Sequence, residues 1–238
     1  MTHDGRRRAI LAIDTATTRI SIATGSPDGV ADGVSTWIAG YRHGETLLPS
    51  IGRFLGEQNI RRSRLAGIVV GTGPGAFTGL RVGIATAKGL AHGLGIALAG
   101  ASTAEALIAA VDEAVPQPAT GRSVLLLPAG PSDRLVVRAG TRPVALPAGS
   151  EPDLGPGERL VAVDLDGRAP AEAVELGEVA HRGLSRALLR AGAARLAALG
   201  RDEAARADEL ETLVPDYVTL PRGVHATGGA MAWSRDPR

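Results

Sequence analysis

The chain has no cysteine, which removes disulfides, thiolate nucleophiles and thiolate metal sites in one step. Aromatic residues make up only 3% of it, so any core must be built from Ala, Val, Leu and Ile. The same scarcity argues against the stacking platforms that hold single-stranded nucleic acid. Lys88 is the only lysine among 26 basic residues, and the net charge of +1 gives no global field to draw in a polyanion or an anionic membrane. Long hydrophobic runs are lacking too: none approaches the roughly 18 residues needed to cross a bilayer. Arg6-Arg7-Arg8 is followed by a short apolar stretch that ends at Asp14. That pattern reads as a short tail leading into a strand, not a signal peptide, and implies a cytoplasmic protein with no membrane partner.

What is present is 44% apolar residues over 238 positions, enough for one large or two small domains. Ala9 to Asp14 is almost continuously apolar, as in a strand buried on both faces. Arg19 to Thr24 and Val30 to Ala39 read as the next two strands, with Ser26-Pro27-Asp28-Gly29 as the turn between them. His43-Gly44-Glu45 opens a helix that carries Leu47, Leu48, Ile51, Phe54 and Leu55 on one face. Leu65 to Val70 is a fourth strand, expected parallel to the first across that helix. A glycine-proline loop, a helix to about Gly93 and a short strand near Ile96 to Ala99 follow. Ser102-Thr103-Ala104-Glu105 is a capping box before Ala106 to Val111. From Pro116 to Gly157 prolines and glycines become frequent, yet Val124 to Leu127 and Leu135 to Val137 faintly repeat the strand-turn-strand opening. Leu160 to Asp164 is a further strand, and Leu184, Leu188, Leu196 and Leu199 mark one face of a long C-terminal helix. Beyond Pro215 the chain reads as irregular, with Gly223 to Arg238 as a tail.

The loop Gly71-Thr72-Gly73-Pro74-Gly75-Ala76 lies between a strand and a helix, where unpaired N–H groups and the positive helix end suit an anion. Gly71, Gly73 and Ala76 match a dinucleotide fingerprint, but no acid closes the next strand to hold a ribose, and no Gly-Lys-Ser/Thr completes a phosphate loop. Phosphate contact through Gly73 and Gly75, and a turn that lets the helix pack closely, are equally open readings. Gly79, Gly83, Gly89 and Gly93 weaken the helix and call for close packing, either on the chain's own sheet or on another subunit. Asp14 and Thr15 end a buried strand as a phosphate-proximal hairpin would, or else Asp14 caps the turn. No second acid at a matching hairpin is evident in the other half. His3, His43, His92, His181 and His225 include no i, i+4 pair for a metal, so no metal site is expected. Gly100-Ala101-Ser102-Thr103-Ala104 is close to a nucleophile elbow, but the capping box accounts for Ser102.

Three segments together carry a family resemblance. They are Leu11-Ala12-Ile13-Asp14-Thr15-Ala16-Thr17, His43-Gly44-Glu45-Thr46-Leu47-Leu48-Pro49 and Gly73-Pro74-Gly75-Ala76-Phe77-Thr78-Gly79-Leu80-Arg81-Val82-Gly83. In that order and spacing they resemble the TsaB (YeaZ-type) family of the actin-like superfamily, over residues from about Arg8 to Leu107. The resemblance implies a two-lobed, actin-like (ribonuclease-H-like) α/β fold with mixed sheets flanked by helices. Its lobes would span 1–104, carrying the partner-binding helices, and 105–238, diverged and ending in an irregular tail. It further implies a non-catalytic dimerisation and activating subunit in threonylcarbamoyl modification of the tRNA adenosine next to the anticodon. The expected partners are a TsaD-type catalytic subunit and a TsaE-type ATPase, with self-pairing in isolation and only indirect or weak tRNA contact. No intrinsic cofactor is expected, and ATP or ADP would sit at a complex interface. By carry-over, Leu47, Leu48, Ile51, Leu55, Arg81, Ile84 and Lys88 would form the partner surface. The second half departs from the family pattern: its Asp-Ala-Arg falls on Pro128-Ala129-Gly130, and its Pro-x-Tyr-Leu-Arg becomes Pro215-Asp216-Tyr217-Val218-Thr219. Rival readings are an actin-like ATPase or phosphotransferase using Asp14 and the glycine loop, and an inactive relative of metallopeptidases.

Overall fold

The structure, a computed structural model, describes residues 8–38, 43–116, 121–200, 202–217, 224–227 and 230–233. Strands β1 (Ala9–Asp14), β2 (Arg19–Gly25) and β3 (Ala31–Ile38) form an antiparallel meander, and β4 (Leu65–Gly71) and β5 (Ala97–Ala101) extend it in parallel on the other side of β1. The five-stranded sheet runs β3-β2-β1-β4-β5. Helix α1 (His43–Glu57) crosses from β3 to β4, and α2 (Phe77–Leu94) from β4 to β5. β1 and β4 are central and covered on both sides, which is why they read as unbroken apolar runs.

Side chains alternate between two cores, as the pleat requires. Leu11, Ile13, Ile68 and Val70 meet Leu47, Ile51, Phe54 and Leu55 of α1 and Ile84 and Ala87 of α2 on the outer face. Ile10, Ala12 and Val69 face the other way, into a core shared with α3 (Thr103–Ala114) and α4 (Ala171–Leu199). Ser102 caps α3 by accepting from the Glu105 N–H, as the capping box predicts.

The second sheet contains β6 (Ser123–Pro128), β7 (Arg134–Arg138), β8 (Val144–Leu146) and β9 (Arg159–Ala162), ordered β8-β7-β6-β9 with β6 and β9 parallel. Leu125, Leu127, Leu135 and Val137 turn to the shared core, and Val124, Leu126 and Val136 to a smaller outer cluster. The 29 residues of α4 span about 43 Å at 1.5 Å per residue. That reach carries it from β9, where a Cβ at Gly177 would overlap the Ala162 carbonyl, to β4, where one at Gly192 would overlap Val69.

Three elements have no counterpart in the sequence reading. β8 is one; α5 (Glu203–Thr212), capped by the Asp202 carboxylate, is another. The third is an antiparallel ribbon of β10 (Val224–Thr227) and β11 (Ala230–Trp233), where an irregular tail was expected. Gly228-Gly229 between two short runs is the hairpin signal that the tail reading passed over. The remainder of that tail, Ala39 and the three N-terminal arginines except Arg8 lie outside the described residues.

Candidate functional site

The ends of β1 and β4 and the N-termini of α2 and α3 converge, but the groups there face inward. Asp14 is fully buried. Its Oδ1 accepts from the Ala16 N–H at 2.9 Å and its Oδ2 from the Thr103 hydroxyl at 2.6 Å. The Thr103 oxygen in turn accepts from the Gly73 N–H at 3.2 Å. Thr15 is also fully buried and donates its hydroxyl to the Gly79 carbonyl at 2.7 Å. A Cβ at Gly75 would overlap the Ala16 carbonyl, one at Gly79 the Thr15 carbonyl and one at Gly83 the Thr15 hydroxyl. The first two helix glycines therefore serve close packing on the chain's own β1–β2 turn. Gly89 and Gly93 have open space where a Cβ would stand. Asp14 thus caps the turn after β1 through the Ala16 N–H.

A second acid does approach Asp14, from the loop after β9 rather than from a matching hairpin. Asp164 follows β9 with φ of 57°, a left-handed conformation uncommon outside glycine. Its carboxylate accepts from the Thr18 N–H at 2.7 Å and the Thr18 hydroxyl at 2.6 Å, and meets His181 Nε2 at 3.3 Å. Arg19 adds an ion pair to Glu178 at 2.6 Å. The β1–β2 turn of the first sheet is thereby tied to the β9–α4 loop and α4. Burial alone would raise the Asp164 pKa, but the hydrogen bonds from His181 and Thr18 outweigh it and hold it below the ordinary value. Asp14 goes the other way: burial pushes its pKa up, the Asp164 charge adds to that, and Thr103, the Ala16 N–H and His181 only partly offset it. His181 is itself buried, and among the described residues its Nδ1 has no hydrogen-bond partner. Among the described residues no group of three or more metal-ligating side chains is assembled.

The residues expected to form a partner surface divide in two. Leu47, Ile51, Leu55 and Ile84 are 0–5% exposed and belong to the outer core of the first sheet, Ile84 at its edge where it also lines the groove described below. Their apolar spacing fits a helix face that packs on its own sheet, the commoner reason for such a stripe. Leu48 is 52% exposed, Arg81 is exposed and Lys88 half-buried, and these three do lie on the outside. Beside them, Val214, Pro215 and Tyr217 lie along α2, leaving an open groove of about 540 Å³ lined also by Arg81, Ile84, Ala85 and Lys88. No described helix is long and apolar enough to cross a membrane.

Residues 22–142, half of the chain, match the family described as TsaD: tRNA N6-adenosine threonylcarbamoyltransferase. The chain is 35% identical over 100 residues to the tRNA threonylcarbamoyladenosine biosynthesis protein TsaB of Bacillus subtilis (strain 168), covering 42% of this chain and 43% of that protein. It is 38% identical over 103 residues to an uncharacterized protein of Mycobacterium leprae (strain TN), covering 41% of this chain and 28% of that one. The chain thus spans less than half the length of these relatives. YeaZ from Pseudomonas aeruginosa has a similar structure, with a TM-score of 0.63 at 22% identity over 89% of this chain and 100% of that one. At that identity the likeness concerns the fold, and the actin-like α/β architecture with two mixed sheets is the one expected.

Proposed function

This chain belongs to the TsaD family in its TsaB (YeaZ) type, and on that premise we propose that it is a non-catalytic subunit in tRNA threonylcarbamoyladenosine formation. One observation carries the non-catalytic reading. Asp14, Thr15 and Gly73, groups a nucleotide phosphate would need, are each engaged by the chain's own backbone or by Thr103, and Gly75 is packed against Ala16. A further support is mechanical. Phosphotransfer in a two-lobed fold relies on closure around substrate, whereas Thr18–Asp164, Arg19–Glu178 and α4 brace the two sheets against each other.

In this reading the outer face of the first sheet is the working surface. Leu48, Arg81 and Lys88, with Ala85 between them, meet a TsaD-type catalytic partner; in isolation the same face pairs with a second copy. A TsaE-type ATPase completes the assembly. The tRNA is reached through the partner, any ATP or ADP sits at a subunit boundary, and the setting is the cytoplasm. The two halves, 1–104 and 105–238, divide the labour: the first docks and the second supports it.

Reconstitution tests the proposal. With TsaD-type and TsaE-type proteins, unmodified tRNA and ATP, threonylcarbamoyl transfer is expected to require this chain and to survive Asp14→Asn. Nucleotide turnover by the isolated chain with magnesium, lost in Asp14→Ala, would instead favour a phosphotransferase.

A further inference from the structure

The groove beside α2 is built with unusual care for so aromatic-poor a chain. It has two phenylalanines and two tyrosines in all, and one of each frames Arg81. The guanidinium carbon lies 3.9 Å from the Phe77 ring centre and 5.8 Å from that of Tyr217, and the two rings are 5.0 Å apart. Arg81 Nε donates to the Tyr217 hydroxyl at 2.9 Å. A flexible side chain is thus held in one pose with its two terminal nitrogens left over, the arrangement that receives a carboxylate in bidentate fashion. Tyr217 is held there by the segment after α5: the Asp216 N–H donates to the Thr72 carbonyl at 2.7 Å, and Leu213 covers Gly100 of β5.

Two turns along α2, Lys88 forms the second cationic point, its ammonium donating to the Glu211 carbonyl at 3.0 Å. Among the described residues no acidic side chain lines the groove and neither cation has an ion-pair partner. Between the cations the lining is apolar: Ile84, Ala85, Pro215 and Val214, the last 66% exposed. Arg81 and Lys88 are seven residue steps apart on the helix, a rise of about 10.5 Å.

We propose that this groove seats an acidic, apolar-faced helix of the partner protein, one carboxylate on Arg81 and a second two turns away near Lys88. The inference rests on the subunit reading above and adds the chemistry of the contact. An apolar strip between two charges fits the helix-in-groove mode, with residues at i, i+3 and i+4 filling the strip and acids at i and i+7 at its ends. RNA is the less suitable occupant, since phosphate binding draws on several cations along a backbone and has no use for an apolar floor.

The test measures the affinity of the full chain for its TsaD-type partner by titration calorimetry at two salt concentrations, with tRNA titrated separately. Arg81→Glu is expected to weaken partner binding about 30-fold or more, and Lys88→Glu about 10-fold. Tyr217→Phe, which frees the guanidinium but keeps the ring, should give a smaller loss. Wild-type affinity should fall with added salt, and melting temperatures should stay near that of the parent because the altered groups lie at the surface. Wild-type affinity in both charge-reversed variants overturns this inference alone. A loss confined to tRNA titrations assigns the groove to RNA and overturns it too. Failure of the wild-type chain to bind the partner overturns the subunit reading and this inference together.

Discussion

The first sheet runs β3-β2-β1-β4-β5 and the second β8-β7-β6-β9, so four strands of each follow the same path: a meander, then a strand returning parallel to the first. What hangs on that path differs. Between β3 and β4 the first half places α1; between β8 and β9 the second has no helix. After β4 comes the glycine loop, whereas after β9 comes Asp164. The outer core of the first sheet is large and roofed by α1 and α2, while that of the second is a small cluster around Val124, Leu126 and Val136. A duplicated frame has thus been equipped unequally. One copy presents helices outward, and the other sends α4 and Asp164 back to hold the first in shape.

Substitutions at matching points would test how far the parallel goes. The largest effect is expected at the closest approaches, Gly79 of α2 over Thr15 and Gly177 of α4 over Ala162. Gly79→Val and Gly177→Val should each cost about 3 kcal/mol or prevent folding, read by chemical denaturation. A tolerated Gly177→Val would mean that α4 is not seated on its strand end as α2 is. A smaller effect, about 2 kcal/mol, is expected for Asp164→Ala, which strips the Thr18 N–H, the Thr18 hydroxyl and His181 of their acceptor. Adding Thr18→Val to that variant should cost little more, since the contact is already gone; additive losses would show that the halves are not coupled here.

The smallest effect is a difference of sign with pH. Asp14 has its folded pKa raised, so its contribution is fully present below the unfolded value near 3.9 and is lost as pH rises through the folded one. Asp164 has its folded pKa lowered, so its contribution is present above the unfolded value and is lost as pH falls through the folded one. Thermal melts from acid to neutral pH should therefore show Asp14→Asn gaining on the parent as pH rises, and Asp164→Asn falling further behind. Parallel curves for the two variants would contradict the opposite environments described for these acids.

The central strands were legible because burial on both faces leaves a one-dimensional mark: Ala9 to Ile13 and Leu65 to Val70 are unbroken runs without a polar side chain. Ser102 and Glu105 likewise announce the start of α3 within four residues. Apolar spacing identified Leu47, Ile51, Leu55 and Ile84 as one-sided helix residues, but periodicity cannot say whether that side meets a sheet or another chain, and here it meets the sheet. The meeting of Asp164, read as a strand end, with Thr18 and His181 was not legible for a different reason. The partner of Asp164 is Thr18, 146 residues away, and nothing local distinguishes Asp164 from a turn acid. β8 is three residues long and largely exposed, too short for its alternation to register.

The reach of α4 has a consequence for how the protein comes into being. Ile10, Ala12 and Val69 on the inner side of the first sheet are covered by residues between Ala180 and Ala193, which leave the ribosome last among the major elements. Until then the early strands hold an apolar surface open to chaperones and to one another. The first half of the chain is therefore not a unit that can be cut out and kept: a fragment ending after α3 would aggregate, and supplying residues 121–200 in trans would be the way to rescue it.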